Sequence, residues 1–301
     1  MMVLAIAFVV LAAWDLHGRW EPEKFHLQWG LAVAAGVPLA AATLLQGVGW
    51  IALIERMTGR RVARGPALAL YLASQLARYT PGKVGLPVVR MAGAERIGAP
   101  ARTIGSSVLV EMLSWTAVGS AVGFGLLFST NQHAAGVASL LGRWGLPLVL
   151  GAIGAALALL LVDRRWAGRR VVDVLGLHGA GPLAPPLLPL VQTVYWALWA
   201  VHGYLLTEAV SDVGGAGLAA TGLFVLGPVL GFVALAAPAG VGVREAALAL
   251  GLAPIVGAAP ALTAALASRF TSLVAEVGAW AILLPWSRSA SVSERSDDPA
   301  R

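Results

Sequence analysis

The run Tyr79-Thr80-Pro81-Gly82-Lys83-Val84-Gly85 interrupts apolar sequence with helix breakers and a cation, and a second run, Ala237-Pro238-Ala239-Gly240-Val241-Gly242-Val243-Arg244-Glu245, repeats its Pro-x-x-Val-Gly pattern. Each run precedes a long apolar segment that carries charge. Glu111 follows Gly85 by 26 residues, and Arg269 follows Gly242 by 27. Matching breaks at matching distances point to an internal duplication.

Working outward, 58% of the 301 residues are hydrophobic, only 12% are charged and the mean hydropathy is +0.79. A soluble domain carries about 25% charged residues, so this composition indicates a polytopic membrane protein. Several apolar runs reach the ~20 residues that a helix needs to cross a hydrocarbon core of about 30 Å. None alternates like a barrel strand. The expected fold is all-α, with about six transmembrane helices and two re-entrant broken hairpins. The net charge of +6 comes from short basic clusters between apolar segments, a topology signal that does not point to nucleic acid.

No cofactor or metal is expected. The chain has no cysteine, its five histidines form no His-x-x-x-His pair, and Gly82-Lys83 lacks the flanking glycine and hydroxyl of a phosphate loop.

In chain order, residues 1–13 read as a short, uncleaved first span and 29–54 as a full one. The densest basic loop follows, with Arg56, Arg60, Arg61 and Arg64 against Glu55, which places it on the cytoplasmic side. Residues 90–102 form another basic loop, so 67–89 should enter the membrane and return. Backbone broken at depth requires cover from protein or water. Residues 103–128 lead outward and 144–162 return to a loop with Arg164, Arg165, Arg169 and Arg170. Residues 187–210 lead out, 219–250 form the second broken segment, and 263–286 bring the chain back to a cytoplasmic, unstructured tail at 287–301. This gives one membrane domain over 1–286, with repeat one at 1–128, repeat two at 144–286 and opposite orientations of the two. Both termini are then cytoplasmic, in a plasma membrane of the bacterial inner-membrane type. Inverted repeats with broken helices at the midplane mark many secondary transporters.

Arg78 to Gly85 with Arg90, the Glu111 segment, and Pro238 to Ala246 with Arg269 resemble the flippase-like family named after the transmembrane region of lysylphosphatidylglycerol synthase. The likeness extends over nearly all of the chain to Trp286. In multiple peptide resistance factors, the module is thought to move aminoacylated phospholipid between leaflets while a fused soluble domain makes it. Only a short tail follows Trp286 here, so the resemblance implies the translocating module without the synthase, and no enzyme activity.

Charges at mid-bilayer cost ~2.5 to 3.5 kcal/mol on insertion scales, so the buried ones are the best clues to a site. Lys83, Arg90, Arg244 and Arg269 could receive a lipid phosphate, for which arginine offers a fork and lysine a point charge; Glu111 and Glu245 would complete the site. Alternatively, Glu111 and Arg269 pair structurally with each other or with Arg90 and Glu245. Pro81, Gly82, Gly85, Pro238, Gly240 and Gly242 read as hairpin tips. Glu276, two turns beyond Arg269 on one face, is a candidate proton carrier or an extension of the polar track. Arg78 either snorkels to an interface or belongs to the site, and His202 reads as a histidine bonded to a neighbouring helix. Gly119-x-x-x-Gly123 and Gly227-x-x-x-Gly231 read as close-packing or dimer signals.

The expected function is translocation of a phospholipid or polyprenyl-linked lipid head group through a cationic cavity between the hairpins, the partner being an anionic or zwitterionic lipid. The rivals are a scaffold for an envelope-synthesis enzyme, a homodimer being possible, and an intramembrane enzyme on lipid-linked substrates. Head-group accumulation in the opposite leaflet separates the first from the others.

Overall fold

The computed structural model describes residues 27–80, 84–129, 187–211, 217–234 and 240–296. The expected spans at 1–13 and 144–162, and the site residues Pro81, Gly82, Lys83 and Pro238, lie outside them. The described residues are all-helical. They comprise α1 (Trp29–Ala34), α2 (Gly36–Thr58), α3 (Arg64–Ala77), α4 (Gly85–Ala92), α5 (Ala101–Phe128), α6 (Leu187–Val210), α7 (Gly217–Val233), α8 (Val243–Val256) and α9 (Ala258–Ser296). A 3₁₀ turn at Glu95–Ile97 joins α4 to α5.

Among the described residues, three stretches are long and apolar enough to cross a membrane: Trp29–Thr58, Ala101–Leu127 and Ala258–Leu283. Helix α6 occupies the residues expected for a span but is not in that group, because Gln192, His202 and Glu208 and its aromatic residues lower its hydropathy. It is an inner helix, with Gln192, Trp196 and His202 fully buried. Helix α9 runs past Trp286, where the last span was expected to end, to Ser296. No glycine or proline stands between Pro285 and Pro299 to stop it.

Both expected breaks occur. Helix α3 ends at Ala77, and the Thr80 hydroxyl closes the first break by donating to the Ala77 carbonyl (2.9 Å) while accepting from the Gly85 N–H (2.9 Å). A Cβ on Gly85 would stand 2.4 Å from that carbonyl, so only glycine lets α4 start against the end of α3. At the second break, Gly240 (φ +71°) and Gly242 (φ +86°) take left-handed conformations that glycine adopts without Cβ strain. The Glu245 carboxylate then accepts from the Gly242 N–H at 2.7 Å, satisfying a donor at the start of α8. A Cβ on Gly240 would lie 2.6 Å from the Gly231 backbone, so α8 begins pressed against the end of α7. In both broken segments the second helix packs on the first.

The helices form one body. Helix α5 lies along α7, α2 along α6, and α9 along α8 while also reaching α2, α3 and α6. Glycines permit the closest approaches. Gly119 faces Trp196, Gly123 faces Leu226, Gly227 faces Leu248, and Gly231 faces Arg244 and Gly240. Both small-residue motifs therefore pack against helices of the same chain. Apolar side chains such as Leu109, Leu113, Leu266, Phe270 and Val274 point outward, as a lipid-facing surface requires.

Candidate functional site: a cationic cavity at the two breaks

Each broken segment supplies an arginine just beyond its break, and each following long helix supplies charges that meet it. Arg90 on α4 and Arg244 on α8 are 1% and 4% exposed. Across from them stand Glu111 on α5 and Arg269 and Glu276 on α9. A cavity of about 1060 Å³, measured out to its mouth, opens among these helices. Its wall includes Arg78, Arg90, Arg244, Arg269, Glu111 and Glu276, together with Gln46, Trp115, Tyr195 and Trp199.

Arg90 is fully committed. It pairs with Glu111, donates from Nε to Ser74 Oγ at 2.8 Å, and lies against the faces of Trp50 (4.6 Å) and Tyr71 (4.4 Å). Glu111 also accepts from Tyr71 (3.2 Å) and from Gln46 Nε2 (3.5 Å). Desolvating two charges costs several kcal/mol per ion; the hydroxyls and aromatic faces offset that cost.

The second pair is looser. Arg269 Nε stands 3.7 Å from Glu245 Oε1, an ion pair beyond hydrogen-bond reach, and its guanidinium covers the Tyr79 ring at 5.1 Å. Glu245 Oε1 consequently has no hydrogen-bond donor. The structural pairing considered for Glu111 and Arg269 is thus the observed one, each with the partner from its own broken segment.

A third pair joins the first broken segment to the last helix. Arg78, at the C-terminal cap of α3, pairs with Glu276 on α9 and donates to Gln75 at 3.2 Å, while the Tyr79 hydroxyl stands 3.5 Å from Glu276. Arg78 belongs to the cavity wall, with 28% of its side chain exposed.

Arg244 differs from the other three. Its Nη2 donates to Ser268 Oγ (2.7 Å), Ser268 O (3.2 Å) and Ser272 Oγ (3.2 Å), and its guanidinium lies 4.9 Å from the Trp199 ring centre. Its Nε has no partner, and none of the ion pairs among the described residues includes it. His202 fixes this arrangement from behind. One ring nitrogen faces the Ala35 carbonyl at 2.8 Å and the other faces Ser268 Oγ at 2.9 Å. A carbonyl only accepts, so Nδ1 carries the proton and the Ser268 hydroxyl donates to Nε2. The histidine is bonded to neighbouring helices, as its lone position suggested.

Of the expected site residues, Arg90, Glu111, Arg244 and Arg269 line the cavity, Glu245 stands behind Arg269, and Glu276 is engaged by Arg78. Gly85, Gly240 and Gly242 sit at the breaks. The aromatic lining was missed, although Tyr195, Trp199 and His202 at spacings of four and three put three large side chains on one face of α6.

The model of one family, the lysylphosphatidylglycerol synthase TM region, matches residues 2–278. The chain belongs to that family. No match was found among curated proteins. Membership makes the chain a multi-pass membrane protein built on the membrane region of lysylphosphatidylglycerol synthase, a family linked to lipid modification and translocation.

Proposed function

We propose that the protein translocates lipids. Its cavity would receive a lipid head group while the acyl or prenyl tails stay in the bilayer. The observation that carries this reading is the arginine-lined cavity at the two helix breaks, within a family of lipid-handling membrane modules. Arginine forks suit phosphate oxygens.

In this reading, the broken segments are re-entrant hairpins and the halves are inverted repeats with both termini cytoplasmic. The cavity opens alternately to each leaflet as one half rocks against the other. Turnover then runs downhill or with a coupled proton, for which Glu276 is the candidate carrier.

The test is a quenching assay on proteoliposomes carrying a panel of head-group-labelled lipids, comparing wild type with Arg244→Ala and Glu111→Gln. Wild type should expose inner-leaflet probe to dithionite faster than empty liposomes, and equally well folded variants should not. No acceleration with any phospholipid or polyprenyl-linked lipid would reject translocation and favour a scaffold for an envelope-synthesis enzyme.

A further inference from the structure

Hydroxyl groups build the seat of Arg244, and one of them is aimed differently from its neighbours. On α9, Thr263, Thr271 and Ser272 each donate to the carbonyl four residues back, at 3.0, 2.8 and 2.6 Å, the usual bond of a hydroxyl inside a helix. Ser268 instead gives its proton to His202 Nε2, 2.9 Å away. Its oxygen is thereby free to accept from Arg244 Nη2 at 2.7 Å. Without that acceptor the Ser268 hydroxyl would turn back to its own helix, as the other three do, and draw its oxygen away from the guanidinium.

His202 serves only as an acceptor on this side because its other nitrogen is committed. Nδ1 donates to the Ala35 carbonyl at 2.8 Å, at the residue that separates α1 from α2, which leaves Nε2 with a lone pair. The ring is fully buried and is met nearly edge-on by Trp199 (78°) and Phe224 (89°), so its orientation is fixed. Trp199 is also the ring over which the Arg244 guanidinium lies. His202 itself stands behind the cavity wall, while Arg244, Ser272 and Trp199 are part of it. Arg244 Nε is buried with no acceptor, a donor left for an incoming oxygen.

We infer that His202 is a positioning residue for head-group binding. As a neutral acceptor it directs the Ser268 hydroxyl, the serine oxygens hold Arg244 Nη2, and the Nε donor is left to a phosphate oxygen. This rests on the translocation reading for the ligand, a lipid phosphate at Arg244. Fixing the guanidinium before the lipid arrives lowers the ordering cost of binding, so the role shows in affinity.

Calorimetric titration of the full chain in neutral detergent tests it, with dihexanoyl phosphatidylglycerol and an isoprenyl phosphoryl hexose as probes and the melting temperature of each variant recorded alongside. His202→Asn keeps a donor near Ala35 but falls short of Ser268; His202→Gln does the reverse. His202→Asn should weaken binding about tenfold, and His202→Gln should retain most of the affinity, whichever of the two melts lower. Ser268→Ala should weaken binding at least as much as His202→Asn. Adding His202→Asn to it should change affinity no further, because nothing remains for the imidazole to direct. Equal losses in the Asn and Gln variants, or losses that add to that of Ser268→Ala, would overturn the assignment and leave His202 a tie between helices. If wild type binds neither probe, or Arg244→Ala binds as well as wild type, the phosphate reading fails and the assignment falls with it. Binding that depends on His202, of a lipid that then moves no faster than in empty liposomes, would instead reject translocation and leave the positioning role standing.

Discussion

Arg90 and Glu111 show how a buried charge is tolerated here. Removing one partner strands the other, which costs about 3–5 kcal/mol, whereas replacing both with apolar groups of similar volume is often neutral. Glu111→Leu should therefore lower the melting temperature in detergent sharply, and Arg90→Met with Glu111→Leu should recover most of the loss. Recovery of stability without recovery of transport would separate the pair's structural role from its part in the cavity. This pairing was one of the alternatives open in the sequence, Glu111 standing alone in an apolar segment and Arg90 at the edge of a basic loop. Arg244's serine cradle was not. Ser268 and Ser272 are common residues, and only the packing of α8 on α9 brings them to the guanidinium.

At the scale of elements, the two breaks were the most legible features, since proline and glycine clusters leave few alternatives to a helix end. The sequence did not reveal how tightly the chain folds back. Gly240 combines a φ of +71° with backbone 2.6 Å from the site of a Cβ, whereas Gly59 (φ +67°) and Gly98 (φ +71°) have open space around them. Gly59→Ala and Gly98→Ala should each cost about 1–2 kcal/mol, the left-handed penalty alone. Gly240→Ala adds a backbone clash and should be markedly worse in the same thermal melts. Equal losses at all three positions would mean that α7 and α8 are not in backbone contact. The apolar part of α9 ends near Leu283, close to the expected end of the last span, while the helix itself continues to Ser296 because a serine-rich, charged composition lowers hydropathy without stopping a helix.

The whole molecule depends on contacts that no local pattern encodes. Arg78 and Glu276 are 198 residues apart in sequence, and theirs is an ion pair joining the first broken segment to the last helix. A double-mutant cycle with Arg78→Gln and Glu276→Gln should give a coupling of roughly 0.5–3 kcal/mol in stability. A coupling near zero would mean that the first broken segment is held to α9 by apolar packing alone. The order of the described helices was legible; the joining of the first broken segment to the last helix was not, because it arises only when α9 crosses to α3.

Arg244 also gives the protein an electrical signature. Among the described residues it is a cavity arginine outside the ion pairs, and in the translocation proposed above a singly charged lipid phosphate would neutralise it. A charge crossing the full membrane potential changes energy by about 2.3 kcal/mol per 100 mV, so under that proposal the return of the empty protein would feel the voltage and the passage of the loaded one would not. Under an imposed potassium diffusion potential, net one-way movement of lipid should change with the sign of the voltage. Exchange between leaflets that both contain the lipid should stay flat.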